Sequence, residues 1–150
     1  MSLEENKAII RSLYKVFNKH NPALLDDIIA PDFVHHAQQI QGLESYKQYE
    51  TIVYKGFPDL HDTIEDIIAE GDKVWVRVKV TGAHKGELRG LAPTGKKMTW
   101  EAVSIWRIAG GKVVELQYAT NELNFYKQLG VIEYTEKGGD CGDVLLKRRI

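Results

Sequence analysis

The chain has 150 residues, of which 43% are hydrophobic and 27% charged, with a formal net charge of -1. This balance fits one globular domain with a sizeable core and excludes a disordered or collagen-like chain. No apolar run is long enough to span a bilayer, and basic and acidic residues are interspersed, so no field draws in nucleic acid or an anionic membrane.

The N-terminus, MSLEENKAII, carries acids where a secretory signal carries bases, so a cytoplasmic protein is expected. Cys141 has no Cys or His companion at ligand spacing and reads as a tolerated loop thiol. Lys147, Arg148 and Arg149 read as a solvated tail.

The N-terminal third is helical by pattern. Ser2 and Glu5 have capping-box spacing, and Ile9, Ile10, Leu13, Val16 and Phe17 follow on one face. Asn21-Pro22 restarts a helix, with Asn as N-cap. Leu24, Leu25, Ile28 and Ile29 give it an apolar face, and Pro31 ends it. A third helix is predicted from about Leu43 to Lys55. Leu43, Tyr46, Tyr49 and Ile52/Val53 form its buried stripe, and Gly56 and Pro58 stop it.

The remainder alternates. Val74, Val76, Val78 and Val80 share one face of a strand from Lys73 to Thr81. From Met98 to Ile108, Met98, Trp100, Ala102, Ser104, Trp106 and Ile108 share one side, and Glu101, Val103 and Ile105 the other. Val113 to Asn121 is another strand. Glu70-Gly71-Asp72 and Gly110-Gly111 are hairpin turns by composition. Leu60 to Ala69 fits helix or strand by spacing, and the turn after it favours strand. A short helix from Leu123 to Leu129 closes at Gly130.

Helices followed by antiparallel strands define an α+β fold. The economical packing sets three N-terminal helices in the concavity of a strongly curved, mostly antiparallel sheet. The mouth of such a cone is a natural small-ligand pocket.

Several segments carry a family resemblance. Gly82-Ala83-His84-Lys85-Gly86-Glu87-Leu88-Arg89-Gly90, followed by Pro93-Thr94-Gly95-Lys96, resembles a signature of SnoaL-like polyketide cyclases. Phe57-Pro58-Asp59-Leu60, Glu70-Gly71-Asp72-Lys73-Val74 with Arg77, Gly111-Lys112-Val113-Val114-Glu115, and Gln128-Leu129-Gly130 match further blocks of that family in order. The resemblance runs from about residue 5 to 132, giving one domain over 1–132 and an extension over 133–150. Val144, Leu145, Leu146 and Ile150 in the extension are apolar enough to dock on the body or on a partner.

The resemblance implies an NTF2-like, cystatin-like cone with a cavity between helices and sheet. It implies homodimers formed through the outer sheet face. It also implies cofactor-free ring closure of an aromatic polyketide ester by intramolecular aldol chemistry. In that pattern an Asp on the last strand shuttles the proton, with a Trp before it. Here those positions are Asn121 and Gln117. The two share parity, so both are expected on the cavity face. A carboxamide can hold a carbonyl or an enolate oxygen, but it cannot act as the base.

His84 is the expected replacement catalyst, since it titrates near neutrality. The alternative is a structural histidine bonded to loop backbone. His35 and His36 are expected near the cavity mouth, and strand alternation lets only one point inward. No third ligand accompanies them, so no metal is expected. Phe57, Trp100 and Glu101 complete the expected substrate-binding set. Glu101 is either a desolvated cavity carboxylate or a surface residue paired with Arg77 or Arg107. The expected ligand is a small apolar or aromatic compound with a carbonyl. The other reading keeps the cone as a binding or accessory protein without turnover.

Overall fold

In the computed structural model, which describes residues 1–136 and 144–148 and their side chains through Ile132, helix α1 spans Leu3–Phe17. Its capping box forms: the Ser2 hydroxyl accepts the Glu5 N–H at 3.1 Å, and the Glu5 carboxylate accepts the Ser2 N–H at 2.7 Å. Its apolar stripe, Ile10, Leu13, Tyr14 and Phe17, is buried. The second helical stretch is shorter than its pattern suggests. It is a 3₁₀ helix, Pro22–Asp27, capped by Asn21. Ile29–His35 is already strand β1, so Pro31 lies inside a strand and does not end a helix. Proline has no N–H for a ladder, and β1 accommodates it where its pairing to the neighbouring strand is irregular, between Ile29 and Val34.

Strand β2 (Ile40–Gln41) and helix α2 (Leu43–Gly56) follow. Strands β3 (His61–Glu70), β4 (Lys73–Ala83), β5 (Lys97–Ala109) and β6 (Lys112–Thr120) then form a meander. The six strands lie in the order β2-β1-β6-β5-β4-β3, and only the β1–β6 pair is parallel. Helix α3 (Glu122–Leu129) leads to a separate hairpin of β7 (Ile132–Glu136) and β8 (Val144–Arg148). Cys141, Arg149 and Ile150 lie outside the described residues, as do the side chains of Val144, Leu145, Leu146, Lys147 and Arg148.

On β4 the inner face carries the alternating valines, and on β5, where the alternation alone leaves both faces open, it is the Met98–Ile108 side. Val74, Val76 and Val78 are buried on β4, and Met98, Trp100, Ala102, Ser104, Trp106 and Ile108 on β5. The core sits where α1 crosses this face. Tyr14, Phe17 and Phe33 surround Trp106, with ring centroids 6.1 to 6.5 Å from it. Towards α2 and α3 the helices and sheet diverge.

One irregularity decides which side chains enter that space. Ile108 on β5 faces Val113 on β6, but Arg107 faces Glu115, so Val114 is an extra residue without a counterpart. A bulge of one residue inverts the facing of everything after it. Val113 is buried, yet beyond the bulge Leu116, Tyr118 and Thr120 face inward and Gln117 is exposed.

Candidate active site

A cavity of about 810 Å³ lies between the helices and the inner sheet face. Tyr14 and Phe17 of α1, Tyr46, Tyr49 and Val53 of α2, Val78 and Val80 of β4, and Trp100 and Trp106 of β5 contribute to its walls. Phe125 of α3 packs edge-on against Trp100 at 5.0 Å. A volume of this size accommodates a compound of several fused rings.

Three carboxyls stand in this mainly apolar wall. Glu50 projects from α2 and Asp62 from β3, and the exposed Glu122 stands at the start of α3. Burial pushes the Glu50 carboxyl up to about 7, and the charge of Asp62 adds to that, while hydrogen bonding to the Tyr46 and Tyr54 hydroxyls pulls the other way. Burial also pushes Asp62 up to about 6, against the attraction of His20. The backbone of Asp62 is fixed on both sides: its N–H donates to Asn18 Oδ1 at 2.8 Å, and its carbonyl accepts from Asn18 Nδ2 at 2.9 Å. His20 donates from Nε2 to the Leu60 carbonyl at 2.6 Å and stacks on Tyr54 at 4.4 Å. A carboxyl that titrates near 7 can take a proton and return it at neutral pH.

His35 is 3% exposed, on β1, and lines the same cavity. Three tyrosine rings meet it edge-on, Tyr46, Tyr49 and Tyr118, at 5.9 to 6.0 Å. Its Nδ1 is buried without a hydrogen-bond partner. Burial, helped by neighbouring His36, holds its pKa down to about 4, so the ring is neutral at pH 7.

The residues singled out from sequence divide into two groups. His35, Phe57 and Trp100 stand in the cavity wall. Glu101, His36, Gln117, Asn121 and His84 do not. Glu101 is exposed on the outer face and pairs with Arg77 at 3.3 Å. His36 also faces outward, 3.5 Å from Glu115, which in turn accepts from Arg107 at 2.7 Å. Gln117 and Asn121 do share parity, but the bulge at Val114 turns Gln117 to solvent. Asn121 is exposed beyond the end of β6 and caps α3, accepting the Asn124 N–H at 2.9 Å.

His84 is fully buried but outside the cavity lining, against Phe57. Its Nδ1 accepts the Thr94 N–H at 3.1 Å and lies 3.0 Å from the Thr94 hydroxyl. Burial lowers its pKa. It ties the two ends of the β4–β5 connection together. Among the described residues, no three His, Cys, Asp or Glu side chains gather as a metal site would need, and no helix is long and apolar enough to cross a membrane.

Sequence reasoning missed Glu50 and Asp62. The signal for Glu50 was present. It follows Tyr46 by four residues and precedes Val53 by three, so it interrupts the apolar stripe of α2 with a carboxylate. Ile52, placed on that stripe as an alternative to Val53, is 48% exposed.

The chain is an α+β cone with an aromatic, acid-bearing cavity between helices and sheet. The sequence profile described as SnoaL-like polyketide cyclase matches residues 7–129. This chain belongs to that family. It is 28% identical over 109 residues to the aklanonic acid methyl ester cyclase DauD of Streptomyces sp. (strain C5), covering 71% of this chain and 67% of that protein. It is 26% identical over 126 residues to the aklanonic acid methyl ester cyclase DnrD of Streptomyces peucetius, covering 77% and 86%. Among solved structures, AclR from Streptomyces galilaeus, provisionally assigned as a hydroxylase, superposes with a TM-score of 0.78 at 31% identity, covering 86% of this chain and 83% of that one.

Proposed function

We propose that this protein closes a ring in a small aromatic carbonyl or ester compound by proton abstraction, with Glu50 as the base. The observation that carries this reading is a carboxyl raised to about 7 in the wall of an apolar cavity. Its kinship with ester cyclases supports it.

In this reaction the Glu50 carboxylate takes a proton from a carbon next to a carbonyl. The enolate carbon then bonds to a ketone carbon of the same molecule. The resulting alkoxide takes a proton back from the Glu50 carboxylic acid, so no proton or electron is gained or lost overall. Neutral His35, whose ring lines the cavity, donates a ring N–H to the enolate oxygen. Phe57 and Trp100 pack on the flat faces of the substrate.

The test is solvent deuterium exchange at the carbon α to the carbonyl, in a panel of aromatic β-keto methyl esters, alongside ring closure. We expect both with the wild type, and a loss of about 10²- to 10⁴-fold in Glu50→Gln. Equal rates in the two proteins would refute this assignment. A second reading, a binding protein without turnover, draws on the Asn at position 121 where the family resemblance gives an acid. Tight binding of these esters with no exchange above buffer would favour it.

We also infer a cytoplasmic homodimer built on the outer sheet face. Ile68, Trp75 and Val103 are exposed there, and Trp75 lies across from both Ile68 and Ile105 in the strand register. Light scattering should give twice the chain mass for the wild type and the chain mass for Trp75→Glu. A monomeric wild type would remove this inference.

A further inference from the structure

The connection from β4 to β5 carries a second device that the aldol step does not use. Leu88 and Leu91 form a two-residue turn, with N–H···O bonds of 3.0 and 2.9 Å in both directions. The residues between them, Arg89 and Gly90, have φ of 50° and 82°. Glycine holds such a conformation without strain, but arginine does not. The strained turn sets Arg89 at the cavity. Its guanidinium lies 5.9 Å over the Tyr49 ring and donates to Gln38 Oε1 at 3.3 Å.

Arg89 is the one cation among the described residues lining the cavity. No carboxylate among the described residues forms an ion pair with it. It is also not among the charges acting on Glu50 or Asp62, so the deep acids do not neutralise it. A cation aimed by a strained turn, braced on an aromatic face and left without a counter-charge, is suited to an anion that arrives with the ligand.

We propose that Arg89 recognises an ionised oxygen on the substrate, so that an aromatic acyl compound enters with that oxygen at Arg89 and its reacting carbon towards Glu50. This deepens the cyclase reading and rests on it. It adds a substrate class, aromatic carbonyl compounds carrying a carboxylate or a comparably acidic enol or phenol. The fork of a guanidinium donates to any of these through its N–H groups.

The test is calorimetric binding of 3-hydroxy-2-naphthoate and its methyl ester, which differ in one charge. We expect the wild type to bind the carboxylate about tenfold tighter than the ester. Arg89→Gln should bring the two affinities together, and in the wild type added salt should shrink the difference, since the site is exposed. The salt series needs no variant and decides the question even if Arg89→Gln folds poorly. Equal affinities in the wild type, or a preference that survives both salt and Arg89→Gln, would overturn the Arg89 assignment and leave the cyclase reading intact. Binding of neither compound would overturn both. Carboxylate-selective binding without deuterium exchange would uphold Arg89 and refute the cyclase reading.

Discussion

Glu50 stands one helical turn after Tyr46 on α2, and both side chains face the same cavity. The Tyr46 hydroxyl steadies the ionised carboxylate, while burial and Asp62 oppose ionisation more strongly. The balance leaves a base poised near neutrality. The wild-type kcat/KM should therefore rise with pH, reach half its plateau at about 7, where half of the carboxyl is ionised, and level off above that. In Glu50→Gln the residual rate should lose that rise. A pH–rate profile of both proteins checks this, and an unchanged profile in the variant would exclude Glu50 as the titrating group.

The same buried groups set the response of stability to pH, with opposing signs. Glu50 is raised from 4.5 to about 7, so between these values the folded protein holds a proton that the unfolded chain has released, and stability falls as pH rises. His35 is lowered from 6.5 to about 4, so in that range the unfolded chain holds the extra proton and stability rises with pH. Each slope is at most about 1.4 kcal/mol per pH unit. In the overlap, 4.5 to 6.5, they oppose one another. Asp62, raised from 3.8 to about 6, sides with Glu50, and His84, lowered by burial, sides with His35.

The wild type should therefore show a shallow denaturation midpoint across this range. Glu50→Gln should slope upward with pH and His35→Gln downward. Urea titrations at half-unit pH intervals would reveal it. Parallel profiles for the two variants would contradict the assigned shifts.

The sequence made the frame legible because two periodicities carry it. The valines of β4 mark its inner face without reference to anything distant, while β5 shows its alternation locally but not which side turns inward, because Val103 and Ile105 make the other side apolar as well. The capping box of Ser2 and Glu5 is equally local. The candidate site was less legible, for two physical reasons. A bulge is a property of two strands, so Val114 gives no sign in its own sequence that it inverts Gln117. A raised carboxyl depends on what surrounds it, and Glu50 and Asp62 come together only through the packing of α2 against the sheet. Motif residues drew attention to His84 and Asn121, whose side chains serve a loop tie and a helix cap.

That placement of Asn121 yields a sharp expectation. Aspartate is as good an N-cap as asparagine, so Asn121→Asp should keep α3 and change stability by less than about 0.5 kcal/mol. The new carboxylate would be exposed to water and so lack the desolvation that tunes a base. Cyclisation and deuterium exchange should remain at wild-type rates. A large gain on aromatic esters would mean that residue 121 turns inward during catalysis.

Gly86 controls where the Arg89 turn sits. The Gly86 and Lys85 N–H groups both donate to the Gly56 carbonyl, at 3.2 and 3.1 Å, which docks the β4–β5 connection on the end of α2. This contact leaves no room for a side chain. A Cβ on Gly86 would lie 1.9 Å from the Lys55 carbonyl oxygen and 2.8 Å from its carbon, both of them backbone atoms that cannot swing aside. Gly86→Ala should therefore push the connection off the helix. The expected cost is about 1–3 kcal/mol, at the upper end because backbone has to move. Arg89 would move with it, so the preference for 3-hydroxy-2-naphthoate over its methyl ester should weaken alongside the fall in Tm. Calorimetric unfolding and the paired ligand titration measure both in one preparation. A Gly86→Ala protein with wild-type Tm would show that the docking of this connection on α2 is not as close as described.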